Sequence, residues 1–319
     1  MDPNLFAADI EARPSVLRDL QRVLVTDDPW SDVPDDIGQV LLLGMGSSMF
    51  AAGVAAARLR AHGVDAVAEL ASSELLPPPG TEQLVVAISA SGGSRETQDA
   101  VSQYAGQSPV FVVTNAEGSP LTQVADHTVL MHAGPERGGV SCRSYTNTQV
   151  LLLALEAKFT GVERDLLAIL GRTVEATQDL LDRQVGWLPE TVERLAGPDV
   201  TAVVAPFRRL GNAQQSALML REGPRRPAIA SETGEWSHVD VYLTKTQDYR
   251  MLLLPGSQYE DELLRWTRER GSTVVVAGAQ VEGADHVVRY RHDDDEDVRL
   301  LTELMVAELV AADVWQAGA

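Results

Sequence analysis

Two short segments combine serine hydroxyls with glycine in a pattern suited to holding an anion. The first is Ser89-Ala90-Ser91-Gly92-Gly93-Ser94-Arg95-Glu96-Thr97. Its serines stand at i, i+2 and i+5 around two glycines, so hydroxyl donors are interleaved with backbone N–H groups. A phosphate monoester, whose oxygens need several donors, suits that set. The second segment is Leu43-Gly44-Met45-Gly46-Ser47-Ser48-Met49. Each follows an apolar run and precedes a helix-forming stretch, where free N–H groups and the positive end of the helix dipole face an incoming anion. A flexible Ser/Gly loop is the plain alternative for the first. A dinucleotide site is the alternative for the second, because Gly44-x-Gly46 follows a strand and Glu69 stands near the end of the next one. Against it, Met49 occupies the place of the third glycine and would obstruct close helix–strand packing.

Short apolar strands alternate with amphipathic stretches along the chain. Strands are expected at Val40–Leu43, Val64–Leu70, Leu84–Ile88, Val110–Thr114 and His127–Met131. Helices are expected through about Leu59, through about Tyr104 and over Tyr145–Lys158. This order reads as an α/β protein with a parallel sheet flanked by helices on both faces, doubly wound in the flavodoxin-like manner. A charged stretch near Val162–Val185 reads as a solvated connector helix, and Val200–Ala205 starts a new α/β unit. Val110–Val113 followed by Ala125-Asp126-His127 recurs as Thr273–Val276 followed by Ala284-Asp285-His286. That repeat points to duplication of one fold. A final helix is expected from about Val298 to Trp315, with the acidic run Asp293–Asp297 capping it.

The chain has 319 residues, enough for two domains, with 45% hydrophobic and 23% charged residues. Lys plus Arg number 26 and Asp plus Glu 46, a net charge of −20. That field opposes nucleic acid and an anionic membrane surface as partners. No apolar run approaches the roughly 20 residues that span a bilayer. The N-terminus has no signal-peptide pattern, and the single cysteine, Cys142, permits no intrachain disulfide, so a cytoplasmic location is expected. Only Lys158 and Lys245 could supply imine chemistry. No His/Cys/Asp cluster has metal-ligand spacing, and no cofactor is expected.

The strand-Gly-x-Gly-Ser-Ser-helix segment followed by Ser-x-Ser-Gly-x-Ser-x-Glu-Thr resembles the sugar isomerase (SIS) domain of phosphosugar-binding proteins. A third family loop has its counterpart in Gly138-Gly139-Val140-Ser141-Cys142-Arg143-Ser144, with Cys142 where the family has serine. The second half resembles a second SIS domain, as in the isomerase half of glucosamine-6-phosphate synthase and in aminosugar-phosphate deaminase/isomerases. The resemblance implies an N-terminal helix plus a first SIS domain over 1–161, a helical connector over 162–196 and a second SIS domain over 197–319. It implies that Ser48, Ser89, Ser91 and Ser94 bind phosphate and that Ser141 contacts sugar hydroxyls. Ala217-Leu218-Met219-Leu220-Arg221-Glu222 matches the family helix that ends in its proton-transfer glutamate, so Glu222 would be the base between C1 and C2. Gly234-Glu235-Trp236-Ser237-His238 matches the loop whose histidine opens the sugar ring. An imidazole with a pKa of about 6.5 suits that exchange, and a carboxylate over the C1–C2 edge suits aldose–ketose interconversion. Family members dimerise, and the histidine loop can complete a neighbour's site, so a homodimer is implied.

Several positions depart from the pattern. Val239-Asp240 replaces the Gly-Pro after the loop histidine, and Met219 stands where the synthase has lysine. The synthase's imine-forming C-terminal tail and its glutaminase domain have no counterpart, so glutamine-dependent amidotransfer is not expected. Two readings follow: an isomerase, deaminase or deglycase acting on a sugar or aminosugar phosphate, or a non-catalytic sugar-phosphate sensor. Taken alone, Glu222 reads as a solvated residue near a helix end and His238 as an ordinary loop histidine. Cys142 reads as an inert small side chain, since no neighbouring base marks it for activation.

Overall fold

The computed structural model describes residues 1–318. The chain divides into two compact units. The first comprises Val16–Pro135 and Arg143–Ala168; the second comprises Met1–Ser15, Glu136–Cys142 and the chain from Ile169 onward.

In chain order the elements are α1 (Pro3–Glu11), α2 (Arg13–Leu24), β1 (Gln39–Gly44), α3 (Ser47–Ala61), β2 (Asp65–Leu70), β3 (Gln83–Ile88), α4 (Arg95–Ser102), β4 (Val110–Thr114), β5 (His127–Leu130) and α5 (Arg143–Thr160). There follow α6 (Leu166–Asp182), α7 (Gln184–Leu195), β6 (Thr201–Ala205), α8 (Leu210–Glu222), β7 (Ala228–Glu232), α9 (Thr233–Trp236), β8 (Arg250–Leu253), α10 (Glu260–Glu269), β9 (Thr273–Ala277), β10 (His286–Val288), α11 (Glu296–Thr302) and α12 (Leu304–Ala317). The first sheet has the order β2-β1-β3-β4-β5 and the second β7-β6-β8-β9-β10, and every strand pair is parallel. The two sheets therefore share one doubly wound topology, the arrangement expected for tandem SIS domains. The order reverses direction between β1 and β3 in one sheet and between β6 and β8 in the other, where such folds open a crevice at the strand carboxyl ends.

The strand sequences explain this architecture. Leu41, Leu42, Val85, Val86, Val112 and Val113 are fully buried as neighbours along their strands, which requires cover on both faces of the sheet. The sheet interior of the second unit is likewise apolar at Val203, Val204, Leu252, Leu253, Val275 and Val276. No charged side chain stands in the middle of these strands; the buried charges, among them Arg13, Arg209, Glu303 and Glu308, belong to helices and loops and are paired there.

Three features differ from the sequence expectation. The 162–196 stretch forms two helices, and α6 buries Ile169, Leu170, Thr173, Val174, Ala176, Thr177 and Leu180. Those residues recur at helical spacing and supply an apolar stripe to the core, which its charged residues had obscured. The last helical segment is two helices, α11 and α12, meeting at Glu303, whose carboxylate is fully buried against Arg209. Asp295 does cap α11, accepting from the Asp297 and Val298 N–H groups. Finally, α1 packs with the second sheet, not with the first sheet that follows it in sequence, because Phe6 and Ile10 join a core with Met219, Leu252, Val275 and Val306.

Candidate functional site

Both anion-type loops leave the first sheet at its switch point. β1 and β3 are direct neighbours, with Leu43 level with Ala87, so their carboxyl ends open side by side at the usual strand spacing of about 4.8 Å. Gly44 ends β1. A Cβ there would lie 2.8 Å from the Ser48 backbone carbon, so only glycine lets α3 start this close to the strand. Gly46 turns the chain with φ +51° and provides no side-chain cap to α3, leaving Ser48 half-buried in the first turn.

The second loop is held more tightly. Ser89 is buried and its N–H donates to the Val113 carbonyl at 3.0 Å. Gly92 adopts φ +60°, and a Cβ at that position would overlap the Ser119 hydroxyl. Its N–H donates to Ser89 O at 3.0 Å and its carbonyl accepts from Leu121 N at 3.2 Å, so the turn is fixed from both sides. Ser91 is exposed, and its hydroxyl accepts from Gly93 N at 3.2 Å. Ser94 caps α4, accepting from Thr97 N at 3.3 Å, while its own hydroxyl donates to Glu96 Oε2 at 3.0 Å. The Glu96 N–H and the Ser94 hydroxyl hold the exposed Glu96 carboxyl below its ordinary range. Ser94 thus acts as a cap first. It can donate to an anion only by turning its hydroxyl away from Glu96.

The remaining candidates lie in the second unit. The Ser141 carbonyl accepts from Gln215 Nε2 at 2.8 Å. Gln215, Met219 and Glu222 stand at i, i+4 and i+7 on α8, which places them along one helix face. Gln215 is fully buried and Glu222, the last residue of α8, is half-buried. Burial raises the Glu222 carboxyl above the ordinary value, against the opposing pull of the adjacent Arg221 guanidinium. A carboxyl so shifted is closer to the range in which it exchanges protons at neutral pH. His238 is exposed in the turn after α9, with its N–H donating to Glu235 O at 2.9 Å. Two residues on, the Asp240 carboxylate accepts the Ser231 hydroxyl.

Glu222 and His238 flank opposite ends of the edge strand β7 of the second sheet. α8 runs back from the carboxyl end of β6 and finishes where β7 begins, whereas His238 follows the carboxyl end of β7. The length of β7 alone separates those ends by about 13 Å. Cys142 is buried, with its N–H donating to Glu136 Oε1 at 2.7 Å. His127 stacks on Phe111 at 4.5 Å, and His286 lies 3.4 Å from Glu190. Gln215 was not singled out from the sequence; its only signal there is its helical spacing from Glu222. Among the described residues, no group of three or more His, Cys, Asp or Glu could hold a metal ion, and no helix is long and apolar enough to cross a membrane.

The chain is similar to known proteins in sequence and in fold. Residues 36–158 match the SIS domain model, covering the first sheet and both serine loops. A glutamine–fructose-6-phosphate aminotransferase (isomerizing) of Aeropyrum pernix is 29% identical over 222 residues, covering 65% of this chain and 36% of that protein. The chain thus spans little more than a third of that relative's length. Tagatose-6-phosphate ketose/aldose isomerase of Escherichia coli superposes with TM-score 0.82 at 18% identity, covering 99% of this chain and 93% of the other. Glucosamine-6-phosphate deaminase of Thermotoga maritima superposes with TM-score 0.75 at 18% identity, covering 99% and 95%. Residues 36–158 thus match a SIS domain, and the chain as a whole has the two-sheet fold of those solved structures and is similar in sequence to part of the glutamine–fructose-6-phosphate aminotransferases.

Proposed function

We propose that this protein binds a sugar phosphate or aminosugar phosphate and moves a proton between C1 and C2, giving aldose–ketose isomerisation or deamination (deglycation) of the aminosugar. The observation that carries this reading is the pair of Ser/Gly loops at the β1/β3 switch point. Ser48, Ser89 and Ser91, with Ser94 after hydroxyl rotation, supply donors to the phosphate. Fixed hydroxyls and helix N-termini explain how a chain of net charge −20 holds an anion without lysine. Ser141 contacts the sugar hydroxyls, Glu222 serves as base, and His238 serves in ring opening. The aminotransferase relationship and the isomerase and deaminase folds support the substrate class.

The separation of Glu222 from His238 supports a homodimer in which His238 serves a neighbouring copy. Phe207, Val239, Tyr242 and Tyr259, each more than half exposed, follow the carboxyl ends of strands β6, β7 and β8, as His238 does. That exposed apolar group suits contact between copies. The same separation is the observation that favours the second reading, a sensor that binds without turnover.

Turnover of hexose 6-phosphates and 2-amino-hexose 6-phosphates by the native chain, with binding measured in parallel, tests the proposal. Loss of turnover in Glu222→Gln with binding retained supports the enzyme. Binding without any turnover by the native chain leaves the sensor. Failure to bind either class defeats both.

A further inference from the structure

The loop that carries Ser141 is clamped by the N-terminal helix and by α8. Residues 136–142 lie in sequence between β5 and α5, yet they pack with residues 1–15 and with the second sheet. The Gly138 N–H donates to Asp9 Oδ2 at 2.7 Å, and the Asp2 N–H donates to the Gly138 carbonyl at 3.2 Å. A Cβ on Gly138 would lie 2.5 Å from Phe6 Cα, so the loop backbone lies directly on α1. Farther along, Gln215 Nε2 holds the Ser141 carbonyl at 2.8 Å. Val140 and Cys142 are buried in one core with Phe6, Ile10, Ala217 and Met219. Beside Cys142, Arg13 and Glu308 form an ion pair at 2.5 Å with both side chains fully buried.

This is more polar machinery than packing a short helix requires. Asp9 is only 5% exposed, and a buried carboxylate is costly unless hydrogen bonds compensate it. Its bond goes to the backbone of a Gly-Gly turn, Gly138-Gly139, the part of the loop with the greatest conformational freedom. Gln215 grips the other end, next to Ser141. Between them the backbone is held at both ends of a four-residue stretch.

We propose that Asp9 and Gln215 are positioning residues: they fix the 136–142 loop so that Ser141 meets the sugar part of the ligand, and α1 thereby sets affinity for the sugar and not for its phosphate. The inference rests on the phosphosugar reading above. The clamp contains none of the serines assigned to the phosphate, so the two contributions separate by choice of ligand.

The test measures dissociation constants of the full chain for inorganic phosphate and for fructose 6-phosphate, in the parent, Asp9→Ala, Asp9→Asn and Gln215→Leu. Asp9→Ala and Gln215→Leu are expected to weaken fructose 6-phosphate about tenfold while leaving inorganic phosphate within about twofold. Asp9→Asn keeps an acceptor oxygen for the Gly138 N–H and is expected to restore most of the loss. Equal weakening of both ligands, or no weakening of either, overturns the positioning role. Should Asp9→Ala not fold, Gln215→Leu decides alone, since it leaves α1 untouched. A parent chain that binds neither ligand sinks the phosphosugar reading and the positioning role with it. A parent that binds both, with variants that do not discriminate, sinks the positioning role only.

Discussion

Asp126 and Asp285 close the same hydrogen-bonded ring at the same place in the two sheets. Asp126 accepts the Val110 N–H at 2.8 Å and returns its own N–H to the Val110 carbonyl at 2.9 Å. Asp285 does the same with Val274, at 2.7 and 2.8 Å. Each aspartate sits just before the last strand of its sheet and ties it to the strand before. The recurrence of side-chain geometry, beyond strand order, marks the two units as copies of one fold.

Each ring should contribute locally. Removing the carboxylate leaves a strand N–H without its acceptor, at a cost of about 1–3 kcal/mol. Denaturant unfolding of Asp126→Ala and Asp285→Ala is expected to show that loss. Amide exchange should accelerate mainly in the sheet that carries the change, and uniform acceleration in both would argue against independent units.

Gly92 and Gly93 should respond oppositely to alanine. Gly92 has φ +60° and its Cβ would overlap Ser119, whereas a Cβ on Gly93 meets nothing closer than Ser91 Oγ at 3.7 Å. Gly92→Ala carries the left-handed penalty of about 1–2 kcal/mol plus the clash. It is expected to abolish phosphate binding, while Gly93→Ala retains it to within a few-fold. Titration of both variants with inorganic phosphate checks the contrast.

Glu222 should carry a stability–activity trade-off. Its carboxyl is raised by burial in the folded chain, so the folded state binds more proton than the unfolded state across the intervening pH range. Its contribution is therefore fully present below the unfolded carboxylate pKa and is lost as pH rises through the folded value. Glu222→Gln removes that loss. The variant is expected to lack turnover yet be at least as stable as the parent at neutral pH, with a flatter stability–pH profile above the carboxylate range. A variant less stable than the parent at neutral pH would show Glu222 to be a structural group.

The second sheet should bind no anion at its own switch point. Arg209, fully buried after β6, donates to Glu303 Oε1 at 2.9 Å, to Glu296 Oε2 at 2.5 Å and to the Pro255 carbonyl. After β8, the Glu260 carboxylate accepts from Ser257 N at 2.7 Å and from Gly256 N. The chain's own carboxylates thus occupy the donors that an anion would need. Calorimetric titration with inorganic phosphate is expected to saturate at one equivalent per chain; two equivalents would contradict it. Arg209→Met leaves Glu303 buried without its cation and is expected to cost about 3–5 kcal/mol in chemical unfolding.

Local pattern alone determined a great deal here. Apolar runs placed the five strands of the first sheet, and β6 and β9 of the second, within about a residue, because a buried parallel strand has few polar positions to disguise it; β7 and β8, which begin or end on Ser231-Glu232 and Arg250, were not singled out. The repeat around Asp126 and Asp285 revealed the duplication, and the serine loops were legible as strand-to-helix turns because glycine and serine set that turn locally. Tertiary structure decided what no local pattern encodes. The burial of α6 depends on what it packs against, and its charges masked its apolar stripe. The clamp of Asp9 on Gly138 joins residues 129 positions apart. Glu222 and His238 are only sixteen residues apart in sequence, yet β7 runs between them and sends them to opposite ends of that strand. Spacing along the chain specifies which residues share an element; the handedness and packing of those elements specify which residues share a place.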